Sequence, residues 1–151
     1  MGPVPTGHVL LAGVYVLALL GIAGALFGIR TSRLRLLVFL LLLMVIHSRP
    51  VAYLSQLAFG IRVTPFLFQG VANQYILGPI FQPSAFGVFL ILAIWVFLMG
   101  YPIAAAAVAC VAPMFHSTYL LSAGLLTLSF MIVTLGETRN VRRVTFIGLL
   151  A

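Results

Sequence analysis

The stretch FGVFLILAIWVFLMGYPIAAAAVACVA, residues 86–112, decides how this chain is folded. Read as one helix kinked at Pro102, it crosses a membrane once. Read as two helices hinged at Gly100-Tyr101-Pro102, it crosses twice. Proline is tolerated inside membrane helices, so local chemistry permits both. Charge separates the two. Six arginines fall in two clusters, Arg30, Arg33, Arg35 and Arg139, Arg142, Arg143, and arginine-rich boundaries belong on the cytoplasmic side. Counted from an external N-terminus, the two-helix reading gives about five passes and puts both clusters inside. The one-helix reading gives four and strands the second cluster outside. The expected fold is therefore all-α: a polytopic integral membrane helical bundle of about five passes, with a short re-entrant or interfacial helix besides.

Composition sets the solvent. Of 151 residues, 64% are apolar and 6% charged, too few charges to cover a water-soluble domain of this length. The net charge of +7 comes from arginines set against the single carboxylate, Glu137. Topology accounts for that charge, so no nucleic-acid partner is expected. One acid cannot supply a carboxylate pair or a metal cage. The chain also lacks a CxxC pair, a glycine-rich phosphate loop, a nucleophile elbow and a Ser/His/Asp set, and neither a metal nor a cofactor is expected. Cys110, alone in an apolar run, reads as a packing residue.

Punctuation divides the rest. Val9–Ile29 is apolar and uncharged, and no positive charge precedes it, so it reads as a retained span with the N-terminus outside. Leu17, Gly21, Gly24 and Gly28 share one stripe of that helix, and the glycines allow a second helix backbone, from within the chain or from a partner, to approach closely. A second run starts after Thr31 and Ser32 and continues to His47, with Pro50 as its stop. Between Thr64-Pro65 and Gly78-Pro79 lies a helix of about 13 residues, ~20 Å long and too short to cross. Pro83-Ser84 opens Ala85–Met99. Ile103–Ala112 follows the hinge, and Pro113 ends it. Ser117 or Thr118 caps Tyr119–Leu135, and Gly136 closes that helix. Thr118, Ser122 and Ser129 lie on one of its faces, a pattern for interhelical hydrogen bonds. Val144–Ala151 opens a further apolar run. The expectation is a single transmembrane domain over 1–151 that forms the N-terminal part of a larger membrane protein.

The five-pass topology gathers Arg49, Arg62, Gln69, Asn73, Gln74, Gln82 and His116 on the external side, with His47 near the same boundary. Fixed positive charge beside amide donors suits an anionic headgroup such as the phosphate of a lipid carrier. Arg49, Arg62, Gln69, Asn73 and Gln74 are the candidate substrate-binding residues; the alternative is that the arginines snorkel to headgroups and the amides satisfy the backbone of an irregular segment. Membrane lipids are the expected partners. His116 is the candidate catalytic residue, because an imidazole titrates near neutral pH and can act as a general base, although it can equally cap a helix.

The run Phe81-Gln82-Pro83-Ser84-Ala85-Phe86-Gly87, the paired short helices around Gly100-Tyr101-Pro102, and His116-Ser117-Thr118-Tyr119 together resemble the mid-section of bacterial polytopic proteins of envelope glycan assembly. These are multispanning glycosyltransferases with lipid-phosphate sugar donors and O-antigen-type polymerases. The resemblance covers about residues 81–135. It implies a multi-pass protein of the bacterial inner membrane engaged in envelope glycan or lipid-linked saccharide assembly. Glycosyltransferases of this type carry an acidic catalytic residue in the first external loop, and residues 48–85 contain none. The resemblance is then either to acid-independent polymerases, which rely on external arginines and histidine, or to a protein whose catalytic part lies outside this chain. A transporter or channel component, and a structural subunit of a membrane complex, are the readings from other classes.

The topology is tested by single-cysteine labelling in a Cys110→Ser background. A membrane-impermeant reagent should reach a cysteine at position 117 from outside and one at position 140 only after permeabilisation. Labelling of both from one side would exclude five passes.

Overall fold

The structure, a computed structural model, describes residues 6–28, 32–46, 48–60 and 82–150, and every regular element among them is helical. Seven α-helices are present in this part of the chain: α1 Thr6–Phe27, α2 Arg33–Ile46, α3 Arg49–Phe59, α4 Val88–Leu98, α5 Pro102–Phe115, α6 Leu120–Thr138 and α7 Val141–Leu149. A 3-10 turn, Pro83–Gly87, leads into α4, and another, Ser117–Tyr119, leads into α6. The external helix expected between Thr64 and Gly78 lies outside the described residues.

Among the described residues, two helices are long and apolar enough to cross a membrane, Thr6–Phe27 and Ser117–Thr138. A third candidate is the pair α2–α3, bent by 64° at its break. α4 and α5 are shorter. At 14 residues α5 rises only ~21 Å against a hydrocarbon core of ~30 Å.

Residues 86–112 form two helices. The break is a glycine cap: Gly100 is left-handed with φ 86°, its N–H donates to the Phe97 carbonyl at 2.8 Å, and the Tyr101 N–H reaches back to Val96 at 3.3 Å. This pair of bonds satisfies carbonyls that the end of α4 would otherwise leave bare, and glycine tolerates the positive φ. Pro102 then starts α5, where its missing N–H costs nothing.

α5 is the central helix. It packs against α4, α6, α7 and both 3-10 turns. Its buried residues are all alanines, Ala105, Ala106, Ala109 and Ala112. Ala93 of α4, Phe130 of α6 and Ile147 of α7 close on this seam, and Phe97 stacks on Phe130 with ring centroids 4.3 Å apart. α7 folds back along α6, with Met131 against Gly148.

α1 joins through Gly21, where the indole of Trp95 fills the space that a Cβ would take. α1 is buried at Leu11, Ala18, Gly21 and Ala23, and it packs chiefly on α4 and the Pro83–Gly87 turn. The glycine stripe serves packing within the chain at Gly21, and Gly28, with φ 60°, follows the last residue of α1.

Several boundaries differ from the sequence reading. Pro50 does not stop the second helix. α2 already ends at Ile46, and Pro50 sits in the first turn of α3, which Gly60 closes with φ 68°. Pro113 does not end α5, which continues to Phe115, because only one backbone bond near the C-terminus is lost. Gly136 does not close α6. Arg139 does so in left-handed geometry, φ 53°, with its N–H bonded to Leu135 at 3.0 Å.

Gly21→Ala should lower the thermal midpoint in detergent, since overpacking costs ~1–3 kcal/mol. Gly13→Ala, where an added Cβ meets nothing within 4 Å, should leave the midpoint unchanged or raise it. Equal behaviour of the two variants would rule out the Gly21–Trp95 contact.

Candidate functional site

The helix directions divide the bundle into two poles. Pro83–Gly87 and His116 lie at one, tied by the Tyr119–Ser84 bond; Gly100–Pro102, Arg139, Arg142 and Arg143 lie at the other.

His116 occupies the junction between α5 and α6 and is half-buried. Its backbone is extended, φ −148° and ψ 107°, so it serves as the N-cap of the turn that opens α6. Its Nδ1 accepts from the Thr118 backbone N–H at 3.4 Å and lies 2.7 Å from the Thr118 hydroxyl. The ring also meets Tyr119 edge-on, with centroids 5.8 Å apart. Tyr119 is buried, and its hydroxyl donates to the Ser84 carbonyl at 2.7 Å, which ties this junction to the turn before α4. Gly87 makes the arrangement possible: a Cβ there would stand 2.6 Å from the Tyr119 ring carbon Cζ. Phe86 stacks on Phe115 at 3.8 Å on the same pole. The imidazole is thus held on a rigid base built from two connections.

The other predicted site residues are not gathered around it. Arg49 is exposed in the first turn of α3, and among the described elements α3 packs appreciably only on α2. Arg62, Gln69, Asn73 and Gln74 lie outside the described residues. Gln82 is half-buried, with its carbonyl accepting from Ala85 N–H at 2.9 Å. The polar face expected to bond between helices behaves differently: Ser129 donates to Leu125 of its own helix at 2.8 Å, and Thr118 is engaged with His116. Cys110 packs as expected, half-buried, with its thiol on the Leu150 carbonyl at 3.1 Å.

Two features escaped the sequence reading. The first is Thr127, 2% exposed, whose hydroxyl has no hydrogen-bond partner. It lines an open groove of about 450 Å³ with Cys110, Met114, Gly124 and Leu150. Its neighbours in sequence are apolar, and nothing in the chain marks it out. The second is a pair of grooves at the basic pole that share Gly100, Pro102 and Arg143. The clustering of arginines pointed to that pole, but only the return of α7 against α5 sets Arg143 beside the hinge.

No family of known proteins, no curated protein and no solved structure matches this chain. Among the described residues the fold is all-helical, with two helices long and apolar enough to span a membrane.

Tyr119→Phe should cost about 1 kcal/mol through loss of the bond to Ser84. Gly87→Ala should cost more, because the Tyr119 ring must move, and Tyr119→Leu in the same chain should recover part of the loss. Thermal melts of wild type, these three variants and Tyr119→Leu alone would check the order, and additive losses for Gly87→Ala and Tyr119→Leu would exclude contact between the two positions.

Proposed function

We propose that this chain is a multi-pass protein of the bacterial inner membrane, N-terminus outside, engaged in envelope glycan or lipid-linked saccharide assembly. The observation that carries the reading is the polarity of the bundle. One pole bears Arg139, Arg142 and Arg143, and the opposite pole presents a positioned His116. Arginine-rich boundaries favour the cytoplasm, so His116 faces outward, where lipid-linked glycans are polymerised in the proteins that residues 81–135 resemble.

In this reading Arg49 and Arg62 hold the phosphate of the lipid carrier, because a guanidinium stays charged and pairs with phosphate oxygens at two points. Gln69, Asn73 and Gln74 supply amide groups to the sugar. With Nδ1 accepting from the Thr118 N–H, a neutral imidazole at His116 carries its proton on Nε2. Service as base on an acceptor hydroxyl requires the proton to pass to Nδ1, which exchanges the backbone bond for catalysis.

Arg49→Ala or Arg62→Ala should weaken binding of an undecaprenyl-phosphate-type lipid, with Arg→Lys rescuing in part. His116→Ala should spare binding and lower glycan formation by ~10²–10⁴-fold, the usual worth of a positioned acid or base. Wild-type lipid binding and glycan production in all three alanine variants would remove the basis for this function.

A further inference from the structure

The basic pole carries an apolar groove with a cation at its mouth. Arg143, on α7, lines a groove of about 400 Å³ whose walls are Gly100, Pro102, Ile103, Ala104 and Ala107. The same residue lines a second groove of about 230 Å³ reaching Glu137 and Thr138. Ile103, Ala104 and Ala107 are all exposed, on one side of α5. The groove follows that side from the hinge for about one and a half turns, ~8 Å along α5. Arg139, Arg142 and Arg143 are exposed, and among the described residues none of them is in an ion pair. Glu137, the only acid, leaves this pole with an excess of positive charge.

We propose that this groove binds one anionic phospholipid, with the phosphate at Arg143 and the upper part of one acyl chain along Ile103, Ala104 and Ala107. Two observations favour a lipid over a soluble anion. The cation stands where an apolar channel opens, so headgroup and chain are met together, and the walls beyond Arg143 offer a free phosphate nothing. The charge matches the anionic cytoplasmic leaflet, toward which such a pole faces. Small side chains make the channel: alanine at 104 and 107 leaves room that leucine, the common residue of membrane helices, would fill. The site is at the opposite pole from His116 and rests on the membrane orientation proposed above, not on glycan chemistry.

The test uses the full chain in vesicles of phosphatidylcholine, with and without a fluorescent phosphatidylglycerol probe. Wild type should bind the probe selectively. Arg143→Ala should weaken binding about fivefold, the worth of one arginine at an anionic surface. Ala104→Leu, which blocks the channel without changing charge, should weaken it comparably, while Arg142→Ala should do so less. Equal losses on removing any of the three arginines, with none on Ala104→Leu, would overturn the proposal in favour of diffuse surface charge. Displacement of the probe by inorganic phosphate as effective as by unlabelled phosphatidylglycerol would overturn it in favour of a soluble anion. Alkaline extraction of each variant distinguishes lost lipid selectivity from lost membrane embedding.

Discussion

The close approach that alanine permits along α5 is the condition on which the rest of the bundle depends. Between helices in lipid there is little hydrophobic driving force, because a neighbouring tail is as apolar as a leucine. Cohesion must come from dispersion contacts, which need short separations. Ala105, Ala106, Ala109 and Ala112 give α5 almost no side-chain thickness on its buried side. α4, α6 and α7 can therefore all touch it, and the larger groups Phe97, Phe130 and Ile147 fill what remains. Gly21 solves the same problem once more at the edge, by admitting the Trp95 ring that ties α1 to the group.

The elements that sequence resolves best are those whose chemistry is local. Gly100-Tyr101-Pro102 carries its own instruction: one residue that accepts positive φ, then a ring that can only begin a helix. The hinge was accordingly legible, and so were the long apolar runs of α1 and α6. Boundaries set by competition were not. Pro113 and Gly136 are weak breakers whose effects are outweighed by packing of the helices around them, and Arg139 takes a left-handed cap that no residue preference would have assigned to it. Pro50 was read as an end when, following Ser48, it marks a beginning.

For the candidate site the division is similar. A capping role for His116 was readable from its place before Ser117 and Thr118, and the structure puts Nδ1 on the Thr118 N–H. The tie that steadies it was not readable, because Tyr119 and Ser84 are 35 positions apart and meet only through tertiary folding. Arg49 illustrates the opposite case. Grouping it with His116 followed from topology alone, and topology assigns a side of the membrane without assigning a distance. α3 turns away from α2 by 64° and packs on little else that is described.

The glycine cap between α4 and α5 has a bearing on how such a chain enters a bilayer. Neither helix is long enough to be held across it unaided, and a bare helix end inside hydrocarbon would be prohibitive. Here the turn closes its own carbonyls through Gly100 and Tyr101, and the two helices bury their facing sides against each other. The pair forms a self-contained wedge. The alanine side of α5 is thereby presented to α6 and α7 by a hairpin whose own turn is already complete.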